Sequence, residues 1–389
     1  MKKTLAALAL VPAVAMGATV TELEKKIDVL ASEVAKLRHG GAQTQGLSKD
    51  KVYNLGNGLS IGGYGEITYT NKSGENEKGD RSSQPATADA LRNILYVGYK
   101  FDEKWTLNTE IEIEHANKIY LEFAHLDYHH SDALNFRAGV LLTPMGWINE
   151  THEPTTFFSV NRPEIENKIL PTTWREHGLG VYGKLSSFNY KFYIMNSLDG
   201  SASNFGENGV RDGRQKASNA TADHFSYVAR VDYTGLQGLV AGASAYVGKL
   251  NGVSGVSHNI FDFHAEYQWK GLKTRALYTW ADLDGKKLNE QKGGSAADKM
   301  QGYYIEAGYD VMSGSDMAIM PFVRYETYNT QEEVPAGVTK NKSQEVTNIT
   351  YGVQFKPIDR ITFKVDYVKN TNEAETGRDS FNLGMGWHF

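Results

Sequence analysis

The chain has 389 residues, with 39 glycines, 22 tyrosines, nine prolines, no cysteine and a formal charge of −5. The lack of cysteine excludes disulfides and thiolate chemistry, and the acidic balance argues against nucleic acid as a partner. Excess Tyr and Phe with scarce Pro suits many pleated strands carrying rings at two interfaces.

Residues 1–18 (MKKTLAALALVPAVAMGA) place Lys2 and Lys3 before an apolar stretch from Thr4 to Val14, followed by small Ala15, Gly17 and Ala18. These are the three parts of a secretory signal, and the apolar run is well short of the ~20 residues a spanning helix needs. No later stretch is long and apolar enough to span as a helix, so the exported chain is soluble or a β-barrel. Residues 19–40 read as a short coiled coil, with Leu23, Ile27, Leu30, Val34 and Leu37 on an a/d seam and Thr21 with Glu24 as a capping box. So short a seam is not stable alone. It implies self-association, or one helix capping the barrel, and 20–38 could also reach the cell wall. Residues 41–58 read as a linker.

From residue 59 to 389 the pattern has period two. Strands are expected near 59–70, 89–101, 104–116, 118–130, 133–143, 176–184, 187–197, 223–234, 237–248, 259–269, 272–281, 301–311, 316–328, 345–357, 360–370 and 379–389. Nearly every second connection is tiny and most of the others are long, the rhythm of a transmembrane barrel. In the last segment Phe381, Leu383, Met385, Trp387 and Phe389 share one face. A bulge is expected between Phe123 and His125, where alternation slips.

Trp105, Leu107, Ile111 and Ile113 share a face suited to lipid, opposite Glu110, Glu112 and Glu114. Phe261, Phe263, Tyr267 and Trp269 likewise stand opposite Asp262, His264 and Glu266. With Arg137, Arg275 and Arg324, these charges predict a lumen wall of mixed sign, too polar for a sandwich core. Sixteen strands leave an aqueous channel, which makes diffusion of small hydrophilic solutes or ions the expected activity.

The third loop, 144–175, is too long for mere closure. Glu150, His152, Glu153, Arg162, Glu164, Glu166 and Lys168, with Arg175 and Glu176 after it, are the candidates for a pore constriction. Glu150, His152 and Glu153 also carry donors for a divalent cation, but their spacing matches no metal motif, and no cofactor is implied. A hydrolase reading lacks a Gly-x-Ser-x-Gly constellation, so no enzyme activity and no catalytic residue is expected.

The segments GGYGEITYT (62–70), NTEIEIEHA (108–116), AGVLLTPMGWINETHEPTTFF (138–158) and RPEIENKILPTTWREHGLGVYG (162–183) resemble the outer-membrane porins of the phosphate-selective O and P type. The resemblance implies a sixteen-stranded homotrimeric barrel with an inward third loop. Phosphate selectivity is not carried over, because those porins use a basic constriction and this third strand is acidic. The expectation is an all-β transmembrane barrel of about 16 antiparallel strands, preceded by a short α-helical coiled coil. It would lie in the outer membrane of a Gram-negative bacterium with its N-terminal segment periplasmic. Selective anion or phosphate uptake and envelope tethering stand as alternatives.

Overall fold

A computed structural model describes residues 47–389. The expected signal segment, coiled coil and first part of the linker lie outside the described residues. The strands are β1 Gly58–Lys72, β2 Thr87–Lys100, β3 Trp105–Glu114, β4 Lys118–Ser131, β5 Leu134–Leu142, β6 Arg175–Leu185, β7 Phe188–Asn196 and β8 Phe225–Tyr233. They continue as β9 Leu239–Lys249, β10 Ser257–Trp269, β11 Leu272–Leu283, β12 Lys299–Tyr309, β13 Ala318–Glu333, β14 Glu345–Ile358, β15 Ile361–Asn372 and β16 Ser380–His388. Each pairs with its sequence neighbours, and β1 pairs antiparallel with β16, closing the barrel. Closure abolishes the sheet edges, whose bare N–H and C=O groups could not be satisfied in lipid.

The expected alternation holds on the outside. Every strand exposes at least one large apolar side chain, among them Ile61, Leu95, Phe136, Leu179, Phe263, Ile305 and Leu383, and Ile119 stands 73% exposed. Among the described residues no helix is long and apolar enough to cross a membrane; the apolar band belongs to the strands. Aromatic pairs such as Trp105 with Tyr128 and Phe188 with Tyr233, their ring centroids 4.9 and 5.2 Å apart, mark the short-turn end. Gly63 and Gly65 make room on this face for the Phe389 and Trp387 rings: a Cβ at Gly65 would lie 2.1 Å from the Trp387 ring.

Two expectations are corrected. The bulge falls one step earlier than expected, at Glu122, where Glu110 pairs with Phe123 but Ile111 pairs with Leu121. The extra residue turns both Glu122 and Phe123 inward, and Glu122 reaches Arg175 at 2.8 Å. Nor is the lumen aqueous throughout. Inward-facing Tyr193, Val228, Tyr246, Ile260, Leu277 and Tyr304 pack with Trp147, Ile148, Ile165 and Trp174 of the third loop and its flank. Leu198, Phe205 and Val210 of loop 197–224, and Leu288 of helix α1 (Gly285–Lys292), join the same cluster. One sector of the barrel thus has a dry interior, because its long loops fold inward and bring apolar side chains with them.

Candidate functional site

The third loop, 143–174, crosses the lumen and is fastened to the wall on many sides. The Val160 amide donates to Asp366 (2.5 Å) and the Ile165 amide to Glu326 (2.7 Å), while Gly146 donates to Asp262 (3.0 Å). Lys364 donates to the Ser159 carbonyl, Gln354 to that of Phe157 and Arg92 to that of His152, at 2.9, 3.1 and 2.9 Å. Asp262 also takes a 2.6 Å contact from His264, whose other ring nitrogen lies 2.7 Å from Asp232. An imidazole held between two carboxylates can donate to both only when each ring nitrogen carries a proton. The inner-face glycines of β16 accommodate the loop: a Cβ at Gly386 would meet Pro154 at 2.6 Å, and one at Gly384 would meet Val160 at 3.2 Å.

The short 3-10 helix Ser48–Asn54, within the stretch read as linker, lies against β1, β2 and β3 beneath the loop. The Ser48 amide donates to Glu153 (2.9 Å), and its hydroxyl donates to the Phe389 carbonyl (2.6 Å). Lys49 donates to the Glu150 carbonyl, and Tyr53 donates to Asp127 at 2.6 Å. Burial pushes the Asp50 carboxyl up to about 7, against the pull of Lys49, Arg137 and Lys191. Burial likewise pushes Glu153 up to about 8, with Lys49 opposing and Asp50 and Glu110 adding.

The constriction candidates divide into two groups. Arg162, Glu164 and Lys168 line a cavity of about 420 Å³ at the long-loop end, and the other six do not. Glu150 is held by Lys191 at 2.6 Å; burial would raise it, but Lys191, Arg230 and Lys49 outweigh that and hold it at about 2. His152 is buried with Nδ1 2.7 Å from the Asn149 carbonyl, and burial, then Arg162 and Arg92, keeps it neutral. Glu166 is a pin inside the loop, accepting from the Trp147 and Ile148 amides and the Tyr304 hydroxyl at 2.7, 2.5 and 2.7 Å. Arg175 pairs with Glu122, and Glu176 accepts from the Gln215 amide of loop 197–224 at 2.8 Å. Glu150, His152 and Glu153 therefore point to three different partners, and no such cluster among the described residues is suited to a metal ion.

The acidic wall is largely neutralised by geometry. Glu66 pairs with Arg92 (2.7 Å), Asp127 with Arg137 (2.6 Å), Asp232 with Arg230 (2.8 Å), and Arg275 bridges Glu266 (2.7 Å) and Glu306 (3.2 Å). Glu110 and Glu112 are buried, while Glu114 sits at the strand end beside His115. The cavity is different. Five cations line it, Lys72, Arg162, Lys168, Arg324 and Arg378, against the carboxylates of Glu164 and Glu326. Arg324 has Glu306 at 3.5 Å, whereas no ion pair within 4.0 Å is formed by the other four among the described residues. Burial, then Arg92, lowers Arg162 to about 10, which leaves it charged at neutral pH. Lys72, Arg378, Glu326, Asn348 and Asn370 escaped the sequence reading, although Glu326 shares the inward parity of Arg324 two residues away.

This is the sixteen-stranded barrel of the outer-membrane porins. Salmonella typhi OmpF, solved with daunomycin, is similar with a TM-score of 0.58 at 13% identity over 87% of this chain and 99% of that one. The outer membrane channel DcaP of Acinetobacter baumannii is similar at 0.57 and 12% over 86% and 98%, and the anion-selective porin from Comamonas acidovorans at 0.54 and 14% over 85% and 99%. No family model matches the chain. It belongs to the same family as an uncharacterized protein of Aquifex aeolicus (strain VF5), with 34% identity over 368 residues, 88% of this chain and 83% of that one.

Proposed function

We propose that this protein is an outer-membrane diffusion channel for small hydrophilic solutes, working as a homotrimer, and that it favours anions. The channel reading is supported by an apolar outer band around a wall with a polar, open cavity at the long-loop end. The anion preference is carried by one observation: the cavity's lining holds five cations and two carboxylates, while most acidic residues of the wall are paired or buried. A focused positive potential at a mouth with low-dielectric walls concentrates anions. The acidic third strand argued against this preference in the sequence. Beneath the third loop, its Glu110 and Glu112 do not line the cavity. The resemblance to phosphate-selective porins agrees with the preference.

The test is reconstitution of the full chain in planar bilayers under a potassium chloride gradient. Stepwise conductance is expected, with a reversal potential of the sign set by chloride. No steps under any condition would remove the channel reading, and a potassium-signed reversal potential would remove the anion preference.

A further inference from the structure

We propose that the cavity at the long-loop end is a binding site for a polyhydroxylated organic anion, a reading that rests on the anion preference above. Its floor is basic: Arg162 and Lys168 rise from the third loop, and Arg324 comes from β13. Strand register places two rungs on the wall at this level. One runs from Arg324 through Thr350, Val368 and Ser380 to Lys72, and the next runs from Glu326 through Asn348 to Asn370. Cations thus stand at both ends of the first rung, with hydroxyls between them and amides beyond.

The amides are held in place. Asn370 donates to Asn348 at 2.7 Å and accepts from the Arg378 amide at 3.2 Å. An amide group carries two N–H donors, so the Asn370 amide keeps one N–H beyond this bond. Among the described residues, the side chains of Lys72, Lys168, Thr70 and Thr350 make no hydrogen bond, though all four line the cavity. The apolar side chains of the lining are Val368 and the Tyr328 ring.

Three ligand classes can be compared on this geometry. An inorganic oxyanion would fill a small part of 420 Å³ and leave the amide rung unused. An aliphatic or aromatic acid would strip water from hydroxyls and amides without replacing its hydrogen bonds, a loss that sites built for hydroxyl recognition convert into strong discrimination. A chain of hydroxyls ending in a carboxylate or phosphate satisfies both parts, with the anionic head on the basic floor and the hydroxyls along the rungs. The volume lies within the usual range for small-molecule sites.

The experiment measures block of chloride current through the full-length reconstituted channel by solutes added on the long-loop side. The probes are gluconate, hexanoate (the same carbon count and charge without hydroxyls) and glucose (hydroxyls without charge). Glucose 6-phosphate forms a parallel arm that separates a phosphate head from a carboxylate head. Gluconate or the sugar phosphate is expected to block saturably at a concentration about tenfold below hexanoate and glucose, a ratio matching one or two hydrogen bonds. Asn348→Leu with Thr350→Val is expected to collapse that ratio. Equal block by hexanoate, or no saturable block by either hydroxylated anion, overturns the binding site. The reversal potential is read in the same membranes, so either result with a chloride-signed potential leaves the anion preference standing.

Discussion

Single side chains decide whether the third loop holds its shape. Glu166 accepts from two backbone amides and a phenol, all buried, so no water replaces it if it is removed. Each buried donor left without an acceptor costs about 1–3 kcal/mol. Glu166→Ala is therefore expected to lower stability by several kcal/mol, and Glu166→Gln, which keeps one acceptor oxygen, by less than half as much. Thermal unfolding of the two variants in detergent checks the order, and equal losses would count against the pin. Asp50 and Glu153 give a pH dependence with a definite sign. Their folded values, about 7 and about 8, lie above the ordinary 3.8 and 4.5, so the docked helix holds more protons than the released one. Docking is then tightest below pH ~4 and weakens as pH rises towards ~8. Hydrogen exchange in 48–54 is expected to speed up across that window beyond the intrinsic pH effect, and Asp50→Asn is expected to flatten its share. Of the nine constriction candidates, the sequence had no means of separating Arg162, Glu164 and Lys168 from the other six. What separates them is pairing with residues far along the chain, such as Glu150 with Lys191.

At the level of elements, the strands were legible and the segments between them were not. All sixteen lie within a few residues of expectation, β13 running five residues further than its pattern. Lipid outside and polar groups inside impose the same period-two rule on each strand separately, so no long-range information is needed. The helix Ser48–Asn54 obeys no such rule. Its position rests on a void: a Cβ at Gly98 would lie 2.5 Å from that of Val52. Gly98→Leu is expected to expel this helix while the barrel still folds. Limited proteolysis should then cut 48–54 several-fold faster with the heat-resistant barrel retained, and unchanged cutting would show that other contacts hold the helix. Strand parity puts the glycines at 384 and 386 on the inner face of the last strand, and their use is set by Pro154 and Val160 packed against them.

Across the whole molecule, the lumen is split into a packed sector and an open one. Val228, Tyr246 and Ile260 lie within an apolar core, whereas Asn348, Thr350 and Ser380 face the cavity. The protein contains no cysteine, so single cysteines can be placed without background. Asn348→Cys and Ser380→Cys are expected to react with a charged thiol reagent at least tenfold faster than Val228→Cys, because a charged group does not enter a dry core. Comparable rates at the three positions would mean that water reaches both sectors. What the sequence determined by itself was the strand count, the inward and outward parity, and closure at Phe389, since contact with lipid acts locally and repeats strand by strand. Only the tertiary structure decided which inward residues meet water. The long loops fold back into the barrel, burying some charges, pairing others and leaving a basic cavity where the alternation alone indicated a mixed wall. That outcome depends on contacts such as Val160 to Asp366 and Ile165 to Glu326, formed between residues more than a hundred positions apart.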